Sequence, residues 1–378
     1  MNAYLAIDFG STYTKLTAID LDNETILATA KDITTVEDDI MIGFNKAFEN
    51  LKIEINKKID FNKVNFVNKT ACSSAAGGLK MIAIGLVPEL TAEAAKKAAL
   101  GAGARVIKTY AYELNHRELE EIKNTSLDII LLAGGTDGGN KDCIIHNAEM
   151  LAEFKIDVPV VVAGNKAAID DVENILKNAS IDYYITDNVM PFINKLNVEP
   201  SREEIRKVFM NKIVEAKGMK KAEEFIQGIL MPTPASVLKA SEILAVGTDE
   251  EDGLGDLIVV DIGGATTDIH SIAKGEPTKP SVIIKGLEEP YAKRTVEGDL
   301  GMRYSALALL EAAGTKTIRN YLHDSLKQID IKSQCLYRHN NIKMVPQTED
   351  EIKFDEAMAK AATELAMTRH CGVLECVY

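Results

Sequence analysis

The sequence has no tryptophan, and its five cysteines number too few and lie too far apart to build a scaffold. Cys72, Cys143, Cys335, Cys371 and Cys376 are odd in number and contain no CxxC pair. This argues against a disulfide framework and for a reducing, cytoplasmic setting. Positive charge is also short. Lys and Arg number 43 against 57 Asp and Glu, a net charge of −14, which disfavours a general nucleic-acid binder with its basic surface. No apolar run approaches the ~18 residues of a membrane span, so no membrane partner is expected. The opening residues MNAYLAIDFG lack a basic region and a cleavage site, and they read as a strand rather than a signal peptide.

What is present is a globular composition, 46% hydrophobic and 26% charged, in a chain long enough for two or three domains. The first thirty residues read as a strand meander with turns at Gly10-Ser11 and Asp22-Asn23. Helical spacing follows from Asp38 to Leu51, and Thr91 to Leu100 is an Ala-rich helix. From Asp128 to Thr186 three apolar strands alternate with two helices, which predicts a parallel βαβαβ layer. Ser201-Arg202-Glu203-Glu204 fits a capping box opening a helix. Leu257 to Ile262, Thr267 to Ala273 and Ser281 to Leu287 then repeat the opening three-strand pattern.

The repeat carries the chemistry. Ile7-Asp8-Phe9-Gly10-Ser11-Thr12-Tyr13-Thr14-Lys15 and Val260-Asp261-Ile262-Gly263-Gly264-Ala265-Thr266-Thr267-Asp268 lie 253 residues apart. Each puts an aspartate at the end of an apolar strand, then a tight turn of small residues, then hydroxyls. Glycines let backbone amides approach an anion. Ser11, Thr12, Thr266 and Thr267 add hydroxyl donors, and Lys15 adds a point charge for phosphate. Asp8 and Asp261 cannot favour naked phosphate. They fit magnesium held through its waters, and either can orient an attacking water.

These two motifs resemble the phosphate-1 and phosphate-2 loops of the actin, Hsp70 and sugar-kinase superfamily. Pro232-Thr233-Pro234-Ala235-Ser236-Val237 is similar to its connecting helix, and Glu297-Gly298-Asp299-Leu300-Gly301 to the helix start that follows phosphate-2. Across most of its length the sequence resembles the MutL family of the glutamate (methylaspartate) mutase system, a family distinct from the mismatch-repair proteins of the same name. Cys72 to Met81 and Asp128 to Asn140 carry that narrower likeness. The resemblance implies an α/β actin-like ATPase fold with two ribonuclease-H-like halves and an inserted βαβαβ subdomain. The expected division is 1–120, 121–200 and 201–378. It implies ATP and Mg²⁺ as cofactors. Asp8 and Asp261 would be the catalytic and metal-facing carboxylates. Gly10, Ser11, Thr12, Tyr13, Lys15, Gly263, Gly264, Ala265, Thr266, Thr267 and Asp268 would bind the nucleotide. The expected partner is an adenosylcobalamin-dependent mutase, for which the protein would act as a reactivating chaperone. A small-molecule kinase and a non-hydrolysing actin-like scaffold are the alternatives, and ATP hydrolysis itself stays open.

Ala265 stands where many relatives carry a third glycine, and its methyl is tolerated only at negative φ. No adenosine-type Gly-Gly pair follows Asp299, and Gly372 to Tyr378 reads as a strand cut short. Ala133-Gly134-Gly135-Thr136-Asp137-Gly138-Gly139 is either an anion site at a helix start or a strand–helix loop, with the loop preferred. Cys72 is read as a small packing residue, as are His370, Cys371 and Cys376. No DxHxxG cobalamin motif occurs.

Overall fold

In the computed structural model, described for residues 1–10, 13–35, 39–74, 79–214, 225–226, 231–277, 279–284 and 286–372, strand β1 (Asn2–Phe9) alternates strictly between core and surface. Ala3, Leu5, Ile7 and Phe9 point inward and are essentially buried, the period of two that a half-buried strand requires. Strands β2 (Tyr13–Asp20) and β3 (Thr25–Ile33) complete an antiparallel meander. Helix α1 (Ile40–Asn56) is capped by Asp39, whose carboxylate accepts the Met41 amide. It buries Phe44, Ala47, Leu51 and Ile55 in the core that the meander also lines. Phe44, Leu51 and Ile55 each contribute about 1.5–3 kcal/mol of burial. β4 (Asn65–Ser73) then runs parallel to β1, and the two-residue β10 (Met231–Pro232) runs parallel to β4. The sheet order is β10-β4-β1-β2-β3.

A second sheet is wholly parallel: β5 (Lys80–Gly85), β6 (Arg105–Ala111), β7 (Ile129–Leu132), β8 (Val160–Val162) and β9 (Tyr183–Ile185). Its order is β6-β5-β7-β8-β9, the doubly wound 2-1-3-4-5 arrangement. Near-continuous apolar strands such as Ile129–Leu132 are what burial on both faces demands. One face shares the core of the first sheet through Met81, Ala83, Leu131 and Val161. The other packs Ile82, Ile130 and Val160 with residues of α3 (His116–Asn124), α4 (Asp142–Glu153) and α5 (Ile169–Asn178). Helices α2 (Glu93–Gly101) and α6 (Glu199–Val214) complete this part.

Helix α7 (Thr233–Val246) leads to β11 (Leu257–Ile262), β12 (Thr267–Ile272) and β13 (Ala292–Glu297), a second antiparallel meander. Helices α8 (Ala306–Tyr321), α9 (Ile331–Asn340) and α10 (Glu349–Cys371) follow. Their core gathers Ile269, Leu309, Ile318, Phe354 and Met358. Gly314 interrupts α8 at φ 72°. The chain divides into two units, Met1–Lys239 with Gly275–Pro290, and Ala240–Lys274 with Tyr291–Tyr378.

Three expectations are corrected. The parallel layer has five strands and begins at Lys80, well before residue 121. The third strand after the second motif is Ala292–Glu297 rather than Ser281 to Leu287, because Ser281 at φ 68° and Gly286 at φ 104° break the extended run. The helix expected to be capped by Ser201 starts at Glu199, and Ser201 is buried in its first turn. The preferred reading of residues 133–139 as a strand–helix loop holds, on contacts given below. Among the described residues no helix is long and apolar enough to cross a membrane. The reading of Gly372 to Tyr378 as a strand falls almost wholly outside the described residues.

Candidate functional site

Both motifs fold into the same object. Register pairs Phe9 with Thr14 and Asp8 with Lys15 in the first hairpin, and Ile262 with Thr267 and Asp261 with Asp268 in the second. The Gly10 amide donates to the Tyr13 carbonyl at 3.1 Å, and the Gly263 amide to Thr266 at 2.8 Å. The second hairpin therefore turns through Gly264 and Ala265. Ser11 and Thr12 lie outside the described residues. A Cβ on Gly10 would sit 2.6 Å from the Tyr13 carbonyl oxygen, so only glycine fits there.

In the first unit the Asp8 carboxylate is held from three sides. Thr233, the first residue of α7, donates its hydroxyl to Oδ1 at 2.8 Å. The Cys72 thiol, on the parallel neighbour β4, reaches the same oxygen at 3.5 Å. Lys15 Nζ lies 3.4 Å from Oδ2. The lysine side chain is 61% exposed, so the pair is a weak surface one and the ammonium stays available to a phosphate. Burial, and then the charge of Asp8, push the Cys72 thiol up to about 11, so it remains protonated and unreactive. Thr233 and Cys72 were not identified as contacts of Asp8 from sequence. The signal for Thr233 was its place at the head of the connecting helix. Tyr13 takes Lys31 over its ring at 5.0 Å.

In the second unit the turn is gripped from one side. The amides of Met302 and Arg303 donate to the carbonyls of Gly263 and Gly264 at 3.0 and 2.8 Å. The Ser305 hydroxyl donates to the Ala265 carbonyl at 2.6 Å. With its carbonyls occupied, the turn leaves the amides of Gly264, Ala265 and Thr266 without a partner among the described residues. Successive free amides in an accessible turn are the groups from which anion-binding concavities are built. Ala265 lies outside the positive-φ residues, so its methyl is accommodated.

Two predicted ligand residues turn inward instead. Thr267 is buried and donates its hydroxyl to the Leu300 carbonyl at 2.7 Å. Asp268 is buried against Arg294, whose Nε donates to Oδ1 at 2.7 Å, and it also accepts the Thr266 hydroxyl at 3.2 Å. Beside them His270 is fully buried. Burial, then the Arg294 charge, push its pKa down to about 4. Asp261 stays exposed at the end of β11.

Residues 133–139 form a locked loop. The Asp137 amide donates to the Pro191 carbonyl, Gly138 to Asn165 Oδ1 and Gly139 to the Thr136 carbonyl. Asn165 Nδ2 donates to the Gly139 and Asn140 carbonyls, and Asn188 Nδ2 to the Gly135 carbonyl. Three amides that an anion would need are already used. His370 is likewise a satisfied core residue, bonded to Thr295 and Ser271 at 2.8 Å each. Among the described residues no cluster of three His, Cys, Asp or Glu side chains forms a direct metal site.

A ribonuclease-H-like sheet ending in a tight hairpin, with a second hairpin of the same construction later in the chain, defines an α/β protein of the actin-like fold. Within that class the chain belongs to the MutL protein family, whose model matches residues 4–378. Protein MutL of Clostridium tetanomorphum is 68% identical over 378 residues, which are 100% of this chain and 80% of that protein. Among solved structures the chain is similar to the ethanolamine utilization protein EutJ from Carboxydothermus hydrogenoformans. That likeness has 10% identity, covers 97% of this chain and 82% of the other, and has a TM-score of 0.26. It is also similar to the activator of the 2-hydroxyisocaproyl-CoA dehydratase from Clostridium difficile with bound ADPNP, at 12% identity, 60% and 99% coverage and a TM-score of 0.15.

Proposed function

We propose that the chain binds ATP with magnesium and serves as an accessory ATPase to an adenosylcobalamin-dependent mutase, acting as a reactivating chaperone. The observation that carries the nucleotide reading is the turn at Gly264, Ala265 and Thr266, whose three amides lack partners among the described residues while its carbonyls are tied down. Lys15 supplies an exposed cation on the first hairpin. Asp8 and Asp261 are the residues that would hold Mg²⁺ through its waters. The ion would neutralise charge on the phosphates. Thr267 and Asp268 act by bracing the turn, through Leu300 and Arg294. The mutase partner rests on membership of the MutL family.

The test is calorimetric titration of Mg-ATP into the wild-type chain and into Asp8→Asn and Asp261→Asn. Saturable binding to the wild type, lost in both variants, supports the proposal. ATP turnover raised by cobalamin-loaded mutase then supports the accessory role. Binding that survives both substitutions refutes the site. Phosphorylation of a metabolite without any response to the mutase would make the chain a kinase.

A further inference from the structure

A cavity of about 660 Å³ opens in the first unit, around the segments that follow β7, β8 and β9. Its size lies within the range of small-molecule sites, and the carboxyl edge of a doubly wound sheet is where such folds bind ligands. The strand order reverses between β5 and β7. A Cβ on Gly85 would lie 2.4 Å from the Ala92 amide nitrogen, so the turn after β5 packs directly on the strand end. The open cavity is therefore displaced toward β9.

The loop locked by Asn165 and Asn188 contributes Asp137 to its lining. Three charged side chains line the cavity: Asp137, Lys166 and Asp187. Asp137 uses Oδ1 to accept the Lys166 amide at 3.1 Å and the Asn188 side-chain amide at 3.0 Å. Its second oxygen, the Asp187 carboxylate and the Lys166 ammonium have no partner among the described residues. Ile169 and Ile185 supply apolar wall. A phosphate is disfavoured here. Carboxylates outnumber the ammonium two to one, and the amides at the helical turn before α5 are spent, Lys166 on Asp137 and Ala167 on Asn165.

We propose that this cavity binds a small molecule carrying a primary ammonium group, held by Asp137 and Asp187 with its hydrocarbon part against Ile169 and Ile185. Lys166 takes the carboxylate of a ligand that also has one. This site is separate from the phosphate hairpins and does not depend on them. It is tested by titrating the full chain at millimolar concentrations of four probes: n-butylammonium, norleucine, pentanoate and inorganic phosphate. Saturable binding of n-butylammonium or norleucine, without pentanoate or phosphate, is expected. Asp187→Asn, which removes no internal contact, weakens that binding about tenfold, the lower end of the loss for a hydrogen bond to a charged group. Norleucine alone among the four would still require the ammonium and would add Lys166 to the site. Binding of pentanoate or phosphate in preference, no binding of either ammonium probe, or ammonium binding indifferent to Asp187→Asn overturns the proposal.

Discussion

Replacing Gly301 with alanine tests the second hairpin through space alone. Gly301 does not occupy the left-handed region, so alanine carries no backbone penalty there. Its Cβ would lie 2.3 Å from the Ala265 carbonyl carbon and 2.6 Å from the Ala265 Cα, against an ordinary contact of 3.4 Å. The obstruction is backbone, so the turn itself must move by about 1 Å. That shift breaks the hydrogen bonds that the Met302 and Arg303 amides donate to the turn, about 1 kcal/mol each. Overpacking adds about 1–3 kcal/mol. The sum is about 3–5 kcal/mol, a large share of a domain's net stability. Gly314→Ala is the control. Gly314 sits at φ 72°, ψ 155°, a region that essentially only glycine occupies, with nothing within 4 Å of its Cβ, so it costs only the backbone term, about 1–3 kcal/mol. Urea denaturation followed by circular dichroism compares the two. Mg-ATP titration then reads the turn directly, with at least tenfold weaker binding expected for Gly301→Ala, because a 1 Å displacement misaligns all three amides. Equal stability of the two variants together with wild-type Mg-ATP binding would refute the account of how the turn is held.

Two other consequences are open to measurement. Unfolded histidine takes up its proton near pH 6.5, whereas His270 in the fold does so only near 4. Stability is therefore full above about pH 6.5 and falls by up to about 3 kcal/mol as the pH drops toward 4. His270→Leu should remove that slope from urea curves taken across the range, and a slope retained in the variant would assign it to other groups. Asn165→Ala removes four hydrogen bonds to the 138–140 loop and the following turn, at a cost of about 3 kcal/mol. It should also speed hydrogen exchange at the Gly138 amide. Unchanged exchange there would mean that the loop holds without its asparagine.

The hairpins were legible because their turns need small residues that few other structures tolerate, and because one pattern occurs twice. The first parallel strands were not. Lys80–Gly85 follows a run of small residues that masks its start, and Arg105–Ala111 alternates too many polar residues to read as part of a buried layer. Strand β13 was missed for a different reason. Arg294 reads as surface in the sequence, yet it is buried because Asp268 lies two positions along the neighbouring strand to neutralise it. The more apolar Ser281 to Leu287 attracted the strand assignment, although Ile283 is 90% exposed. At the site, the motif pointed the Thr266 and Thr267 hydroxyls at a phosphate, whereas they donate to Asp268 and to the Leu300 carbonyl. Whether Thr267 faces a ligand or the Leu300 carbonyl depends on a segment more than thirty residues away.

The division of the chain also sets a timetable. The first unit is not a continuous stretch: Leu287 joins its core and Glu289 pairs with Lys97 at 3.0 Å. A ribosome emits the motifs of β11 and β12 before it releases these last pieces of the first unit. The amino-terminal part must therefore wait, with its core incomplete, while the hairpin at Gly263 is already outside the exit tunnel. The two units cannot mature strictly one after the other. A nascent chain arrested before residue 287 should be more open to proteases than one arrested past 290.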